Sequence, residues 1–250
     1  MLTFFRRIRK GLLGEGATSK YLLYAIGEIL LVMVGILLAL QVNNWNQDRA
    51  DRQKEILLLK EINSEFIHNK EELERTTWFY ENRVKKNCID FKELFPIAQS
   101  ERNIDTLINL LRRSCQLVTS DLSMGSISTL INTSSFDIIS NEELRSLLLQ
   151  WEDLVADYFE REVLLIDYTT QVIIPYLAKR IPQPYRPEVN DKRVDLSFVS
   201  TIEFENLIND RLWYTNTLLQ SVQGEQSQIS NALNRIIVLS GGHQGYSRQH

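Results

Sequence analysis

The chain has 250 residues, of which 44% are hydrophobic and 24% charged, with a formal net charge of −4. That balance excludes a disordered tail and leaves enough apolar material for one sizeable core. A mildly acidic chain without a basic stripe also argues against nucleic acid as a partner, since such binding leaves a basic electrostatic footprint.

Residues 1–20 carry Arg6, Arg7, Arg9, Lys10 and Lys20, and are followed by the run YLLYAIGEILLVMVGILLALQV from Tyr21 to Val42. At a rise of about 1.5 Å per residue the run makes a helix roughly 33 Å long, enough to cross a hydrocarbon core of about 30 Å. The lipid bilayer is therefore the first expected partner. Beyond the run, Arg49, Arg52 and Lys54 are interleaved with Asp48 and Asp51, so Lys and Arg favour the leading side by five to three. The positive-inside bias then places residues 1–20 in the cytoplasm as a basic leader. The run is longer than the apolar region of a cleaved signal peptide and ends in LLALQVNNW, without a small-residue cleavage pattern. An uncleaved signal anchor over residues 21–42 is the expectation. Tyr21, Tyr24 and Trp45 fit the aromatic belts at its two ends.

Glu28 stands inside this span, where a carboxylate is costly and ordinarily faces a partner or water. One reading has it protonated or hydrated near the cytoplasmic edge. The other joins it to Gly27, Leu31, Gly35 and Ala39, a stripe of spacing four with small residues that lets a second helix come close. That second reading implies a homo-oligomer or a partner subunit.

Downstream, residues 43–240 read as one all-α extracytoplasmic domain, an antiparallel helical bundle, with residues 241–250 as a flexible tail. Leu59, Ile62, Phe66, Leu73, Tyr80, Val84, Cys88, Phe91 and Phe95 recur in steps of 3, 4 or 7, one apolar face of a long helix. No Pro or Gly lies between Asn43 and Phe95, so the membrane helix is expected to continue outward as a stalk until Pro96. A second helix is expected from Ile104 to Val118, then a short helix and irregular turn within the Ser- and Thr-rich residues 121–140. Ser140 with Glu143 forms a capping box for a helix whose face is Leu144, Leu147, Leu148, Trp151, Val155, Tyr158 and Leu165. Four of the five prolines, Pro175, Pro182, Pro184 and Pro187, predict an extended loop through residues 175–190. Ser200 with Glu203 repeats the capping box for a last helix through Phe204, Leu207, Trp213, Leu218, Val222, Ile229, Leu233 and Ile236, which Gly241 and Gly242 end.

The opening FFRRIRKGLL and the following SKYLLYAIGEILLVMVGILLALQVNNWN resemble the start of a family of uncharacterised single-span membrane proteins common in Bacteroidota. The shared unit is Lys20-Tyr21-Leu22, the Gly27-Glu28 pair and the exit Asn43-Asn44-Trp45-Asn46. The stretch MGSISTLINTSSFDIISNEELRSLLLQW is similar to a second pattern of that family, with Ser134-Ser135 where the family has a Gly. The resemblance covers about a quarter of the chain. It implies an inner-membrane protein of a Gram-negative cell, whose C-terminal domain is then periplasmic; it supplies no activity.

Reactive chemistry is sparse. Three histidines, His68, His243 and His250, are too few for a zinc cluster or a His-based triad. The GLLGEGATSK stretch lacks the P-loop lysine, since Ala17 follows Gly16. The carboxylate pairs Glu71-Glu72 and Glu142-Glu143 fit a solvated helix face and a helix first turn better than acid/base work, and Asn132-Thr133-Ser134 is a sequon of little weight in a bacterial envelope. Cys88 and Cys115 could form one disulfide in an oxidising compartment or pack as small apolar residues.

Among the aromatics, Trp78, Phe79, Tyr80, Trp151, Tyr158 and Phe159 could line a pocket, although ordinary core packing accounts for most of them. Trp78 and Phe79 flank Tyr80, cannot both share its face, and are the candidates for a binding surface. The expected function is a non-enzymatic, membrane-anchored binding or scaffold protein of the bacterial envelope, without a cofactor. The alternative is a ligand-sensing bundle that signals through its membrane helix to a partner. If Glu28 pairs across a helix interface, a Glu28→Ala chain gives less cross-linked dimer in membranes than the parent. An undiminished dimer removes Glu28 from the contact.

Overall fold

The computed structural model describes residues 18–97, 103–133, 135–182, 195–224 and 226–242, and every regular element among them is helical. The basic residues Arg6 to Lys10, Pro184, Pro187, Ser134 and the tail from His243 lie outside the described residues. Two compact units divide the chain, residues 1–55 and 56–250.

The first helix, α1 (Thr18–Phe79), enters both units. In the first unit its residues from Leu22 to Ala50 are exposed apart from the half-buried Ala25. An 18-residue window there has a mean hydropathy of 2.5, so the helix is long and apolar enough to cross a membrane.

In the second unit, α1 runs into a π-helical turn (Tyr80–Lys85) and then α2 (Lys86–Leu94). The expected apolar stripe is buried from Leu59 to Phe91, with Leu59, Ile62, Phe66, Leu73, Tyr80, Val84, Cys88 and Phe91 each at most 4% exposed, while its last member, Phe95, is half-buried. α3 (Ile104–Ser114) starts on Asn103, whose side chain accepts from the Thr106 N–H at 3.0 Å. It ends four residues before the expected Val118, because residues 116–124 leave the helical path altogether.

α4 (Gly125–Thr133) and a 3-10 turn (Phe136–Ile138) follow, then α5 (Glu142–Asp167). The cap of α5 is Asn141, accepting from the Leu144 N–H at 2.9 Å, one residue beyond the expected Ser140. Glu142 and Glu143 therefore sit in the first turn, where they favour the helix dipole.

A second π-helical turn (Tyr168–Ile173) joins α5 to α6 (Ile174–Ala178). Pro175 consequently lies within helix and not in a loop. The wider ladder immediately before it relieves the clash between a proline ring and the preceding turn. A 3-10 turn (Ser197–Ser200) precedes α7 (Ile202–Val222), capped by Thr201 where Ser200 was expected, and α8 (Gln228–Gly241), capped by Ser227. The single expected last helix is thus two helices, because Gly224 takes φ +94°, a left-handed conformation that suits glycine and stops α7.

α5 packs against both α7 and α8, and α2 against α3 and α7. Phe66 tilts onto Trp151 at 4.8 Å, and Phe204 gathers Phe91, Phe198 and Tyr176 around it at 5.1–6.3 Å. Asn63 of α1 donates to the Ile237 carbonyl at 2.9 Å and meets Ser240 Oγ at 3.1 Å, holding the C-terminal turn of α8. A Cβ at Gly241 would come within 3.0 Å of that Asn63 amide.

Residues 116–124 run between these helices, mostly half-buried with only Ser120 and Leu122 fully so, without a backbone ladder of their own, and side chains meet several of their polar groups instead. The Tyr80 hydroxyl donates to the Val118 carbonyl at 2.6 Å and accepts from its N–H at 3.3 Å. Arg75 donates to the Thr119 carbonyl at 3.2 Å. Glu162 accepts the Ser120 N–H at 2.9 Å, and the Ser120 and Tyr158 hydroxyls lie 2.7 Å apart. Asn69 accepts from the Ser123 N–H at 2.7 Å and donates to the Ser123 carbonyl at 2.9 Å, the pairing that a neighbouring strand would supply.

Arg211 completes the set. It is 0% exposed, and its guanidinium donates to the carbonyls of Ser114 at 3.0 Å, Gln116 at 2.9 Å and Leu165 at 3.3 Å. The first two lie at the C-terminal end of α3, where the helix dipole favours a cation. The third lies beside the start of the second π-helical turn. Burial pulls the Arg211 pKa down, with Cys88, Tyr80 and Cys115 opposing. Cys88 and Cys115 are both free thiols, and burial pushes them up to about 11 and about 12.

A hydrogen bond to a charged group is worth about 1.5–3 kcal/mol, and desolvation of the guanidinium offsets part of the total. Arg211→Met is expected to destabilise the protein by about 3 kcal/mol, read as a lower denaturant midpoint. An unchanged or higher midpoint means that burying the charge outweighs its three hydrogen bonds. Glu162 has its pKa raised, first by burial. Its contribution to stability is full below an unfolded value of about 4.3 and is lost as pH rises through the higher folded pKa. In Glu162→Gln, the melting temperature should fall less on going from pH 4 to pH 7 than it does in the parent, and an identical profile contradicts the assignment.

Candidate binding groove

On the surface of the second unit, the end of α1 and the π-helical turn form one wall of a groove, and the junction of α7 and α8 forms the other. Its volume is about 330 Å³, at the small end of the range for ligand sites. Leu73, Val222 and Leu233 make the floor, with Leu73 and Leu233 buried at 4% and 2%. The walls are polar. Lys70 donates to Asn234 Oδ1 at 3.0 Å and lies 3.9 Å from Glu74, while Gln223 donates to Glu81 at 2.8 Å.

Trp78 stands on the α1 wall and is 56% exposed. The Asn82 amide, also on this wall, donates to the Trp78 carbonyl at 3.0 Å, and the Arg83 guanidinium lies 5.9 Å from the indole centroid. The wall is placed by the opposite face of the same helix: Asn69, Leu73, Thr76 and Tyr80 are buried, so Lys70, Glu74 and Trp78 turn outward.

Phe79 separates from Trp78. It is half-buried, packs against the core and meets Tyr80 edge-on at 5.6 Å. Tyr80, Trp151 and Tyr158 are core residues at 0–2% exposure, and Phe159 packs on Tyr158 at 5.8 Å. The groove's second wall, Gln223 to Asn234, was not evident in the sequence. Gly224 was its signal, because the turn it makes creates the junction of α7 and α8. A second aromatic surface was also missed: Trp213 is 61% exposed and meets Tyr214 edge-on at 4.9 Å, and Tyr214 lies 4.8 Å from Tyr168.

In the first unit, Gly27, Glu28, Leu31, Gly35 and Ala39 are all exposed on α1. A Cβ added at Gly27 or Gly35 would meet nothing within 4 Å, so the backbone there is open to close approach. Among the described residues, no three His, Cys, Asp or Glu side chains cluster as a metal site would require.

Comparison with protein-family models, with curated proteins and with solved structures found no match to this chain.

The different settings of the two neighbouring aromatics give different expectations. Phe79→Ala should destabilise the protein by about 1–2 kcal/mol through lost packing, and Trp78→Ala by less than about 0.5 kcal/mol. Equal losses in denaturant midpoint would make Trp78 part of the core rather than of a binding surface.

Proposed function

We propose that this is a single-pass inner-membrane protein of the bacterial envelope, anchored by residues 21–42 with its N-terminus in the cytoplasm. Its periplasmic domain, residues 43–240, is a helical bundle that binds or scaffolds envelope components without enzymatic activity or a cofactor. The observation that carries the binding reading is the groove: a formed depression whose one large apolar surface, Trp78, is left in solvent rather than folded into the core. Support for the anchor comes from the exposed apolar stretch of α1, the basic leader and the resemblance of residues 4–13 and 19–46 to single-span membrane proteins. Gly27, Glu28, Leu31, Gly35 and Ala39 would form the contact with a second copy or with a partner's membrane helix, where small residues permit close packing.

One observation favours ligand sensing as a second reading. The same helix, α1, supplies both the apolar stretch and the Lys70 to Trp78 wall of the groove. A helix shared in this way is the kind of element through which occupancy could bias a partner at the membrane.

Crosslinking of the tagged protein in intact cells, with mass spectrometry of the copurifying material, tests the scaffold. Recovery of one stoichiometric envelope protein is the expected result. Recovery of the chain alone contradicts the scaffold reading and transfers the weight to ligand sensing.

A further inference from the structure

We infer that the groove beside Trp78 binds a neutral oligosaccharide. The inference rests on the binding reading above and names the ligand class. A pyranose ring offers a flat face of C–H groups and a rim of hydroxyls, so its site needs an exposed aromatic face and planar hydrogen-bonding side chains around it. The groove has both. Trp78 supplies the aromatic face at 56% exposure. Asn234 meets Lys70 through its carbonyl oxygen alone, which leaves its NH2 group to donate to a ligand, and Gln223 meets Glu81 through its NH2, which leaves its carbonyl oxygen to accept.

The charges select against other ligands. Each charged side chain that lines the groove is engaged by a neighbour: Lys70 lies 3.9 Å from Glu74 one turn along the same helix, and Glu81 accepts from Gln223 at 2.8 Å. A phosphate would meet two carboxylates, and an organic cation would meet Lys70. An amphipathic helix needs apolar anchors over two turns or more, and this floor has only Leu73, Val222 and Leu233, two of them already buried. The volume of about 330 Å³ suits one end of a short saccharide rather than a protein surface.

The test uses the full chain in lipid nanodiscs, which avoids glycoside detergents, titrated with chitotriose, cellotriose and maltotriose while the heat of binding is followed by calorimetry, a readout that does not depend on the Trp78 indole as reporter. At least one of the three should give a saturable change. Trp78→Ala should abolish it or weaken the affinity more than tenfold, Asn234→Ala should weaken it severalfold, and Trp213→Ala should leave it intact. No response to any of the three, or a response that survives Trp78→Ala, overturns the inference. Circular dichroism of each variant separates loss of binding from loss of fold. If no sugar binds while Trp78→Ala abolishes recovery of a cross-linked envelope protein, the saccharide is overturned and the scaffold reading stands.

Discussion

A chain segment that leaves the helical path inside a helical domain has nowhere to send its backbone hydrogen bonds. Residues 116–124 leave the helical path with Ser120 and Leu122 buried, and because an unpaired buried N–H or C=O is costly, side chains meet backbone groups of Gln116, Val118, Thr119, Ser120 and Ser123. They do so from three helices. Asn69, Arg75 and Tyr80 reach in from α1 and its π-helical extension, Tyr158 and Glu162 from α5, and Arg211 from α7. The segment therefore ties together elements far apart in the chain. The two π-helical turns belong to the same arrangement, since Tyr80 opens one and the Leu165 carbonyl that Arg211 engages lies beside the other.

The groove depends on this interior. One face of α1 carries Asn69, Thr76 and Tyr80 inward, which fixes the rotation of the helix about its axis and turns Lys70, Glu74 and Trp78 to the surface. On the other wall, Arg211 and Thr215 hold the buried face of α7, and Gly224 then turns the chain so that α8 brings Asn234 opposite Lys70. The polar core thus sets the surface geometry, and a ligand would meet walls already in place.

How much of this was legible follows from which residues obey the apolar period. The α1 stripe was readable because Leu59 to Phe91 are apolar at helical spacing, and the α5 face was readable for the same reason. What escaped was every polar residue in a core position. The stripe jumps by seven from Phe66 to Leu73 and again to Tyr80, and the intermediate places belong to Asn69 and Thr76, both buried. Those gaps were a usable signal. On α7, apolarity alone chose Leu207 and Trp213, whereas the buried face is Phe204, Ile208, Arg211, Thr215 and Leu218. A charged residue at a core position cannot be recognised without the carbonyls that receive it. Trp78 was legible as the neighbour that could not share the face of Tyr80, but its groove was not, since the second wall depends on a turn that had been read as continuous helix.

Amide hydrogen exchange of the full chain tests most directly the claim that side chains hold residues 116–124 in place of a ladder. Slow exchange at Val118, Ser120 and Ser123, comparable to the interior of α5, is what the bonds to Tyr80, Glu162 and Asn69 predict. Exchange at these amides as fast as in an open loop would contradict it.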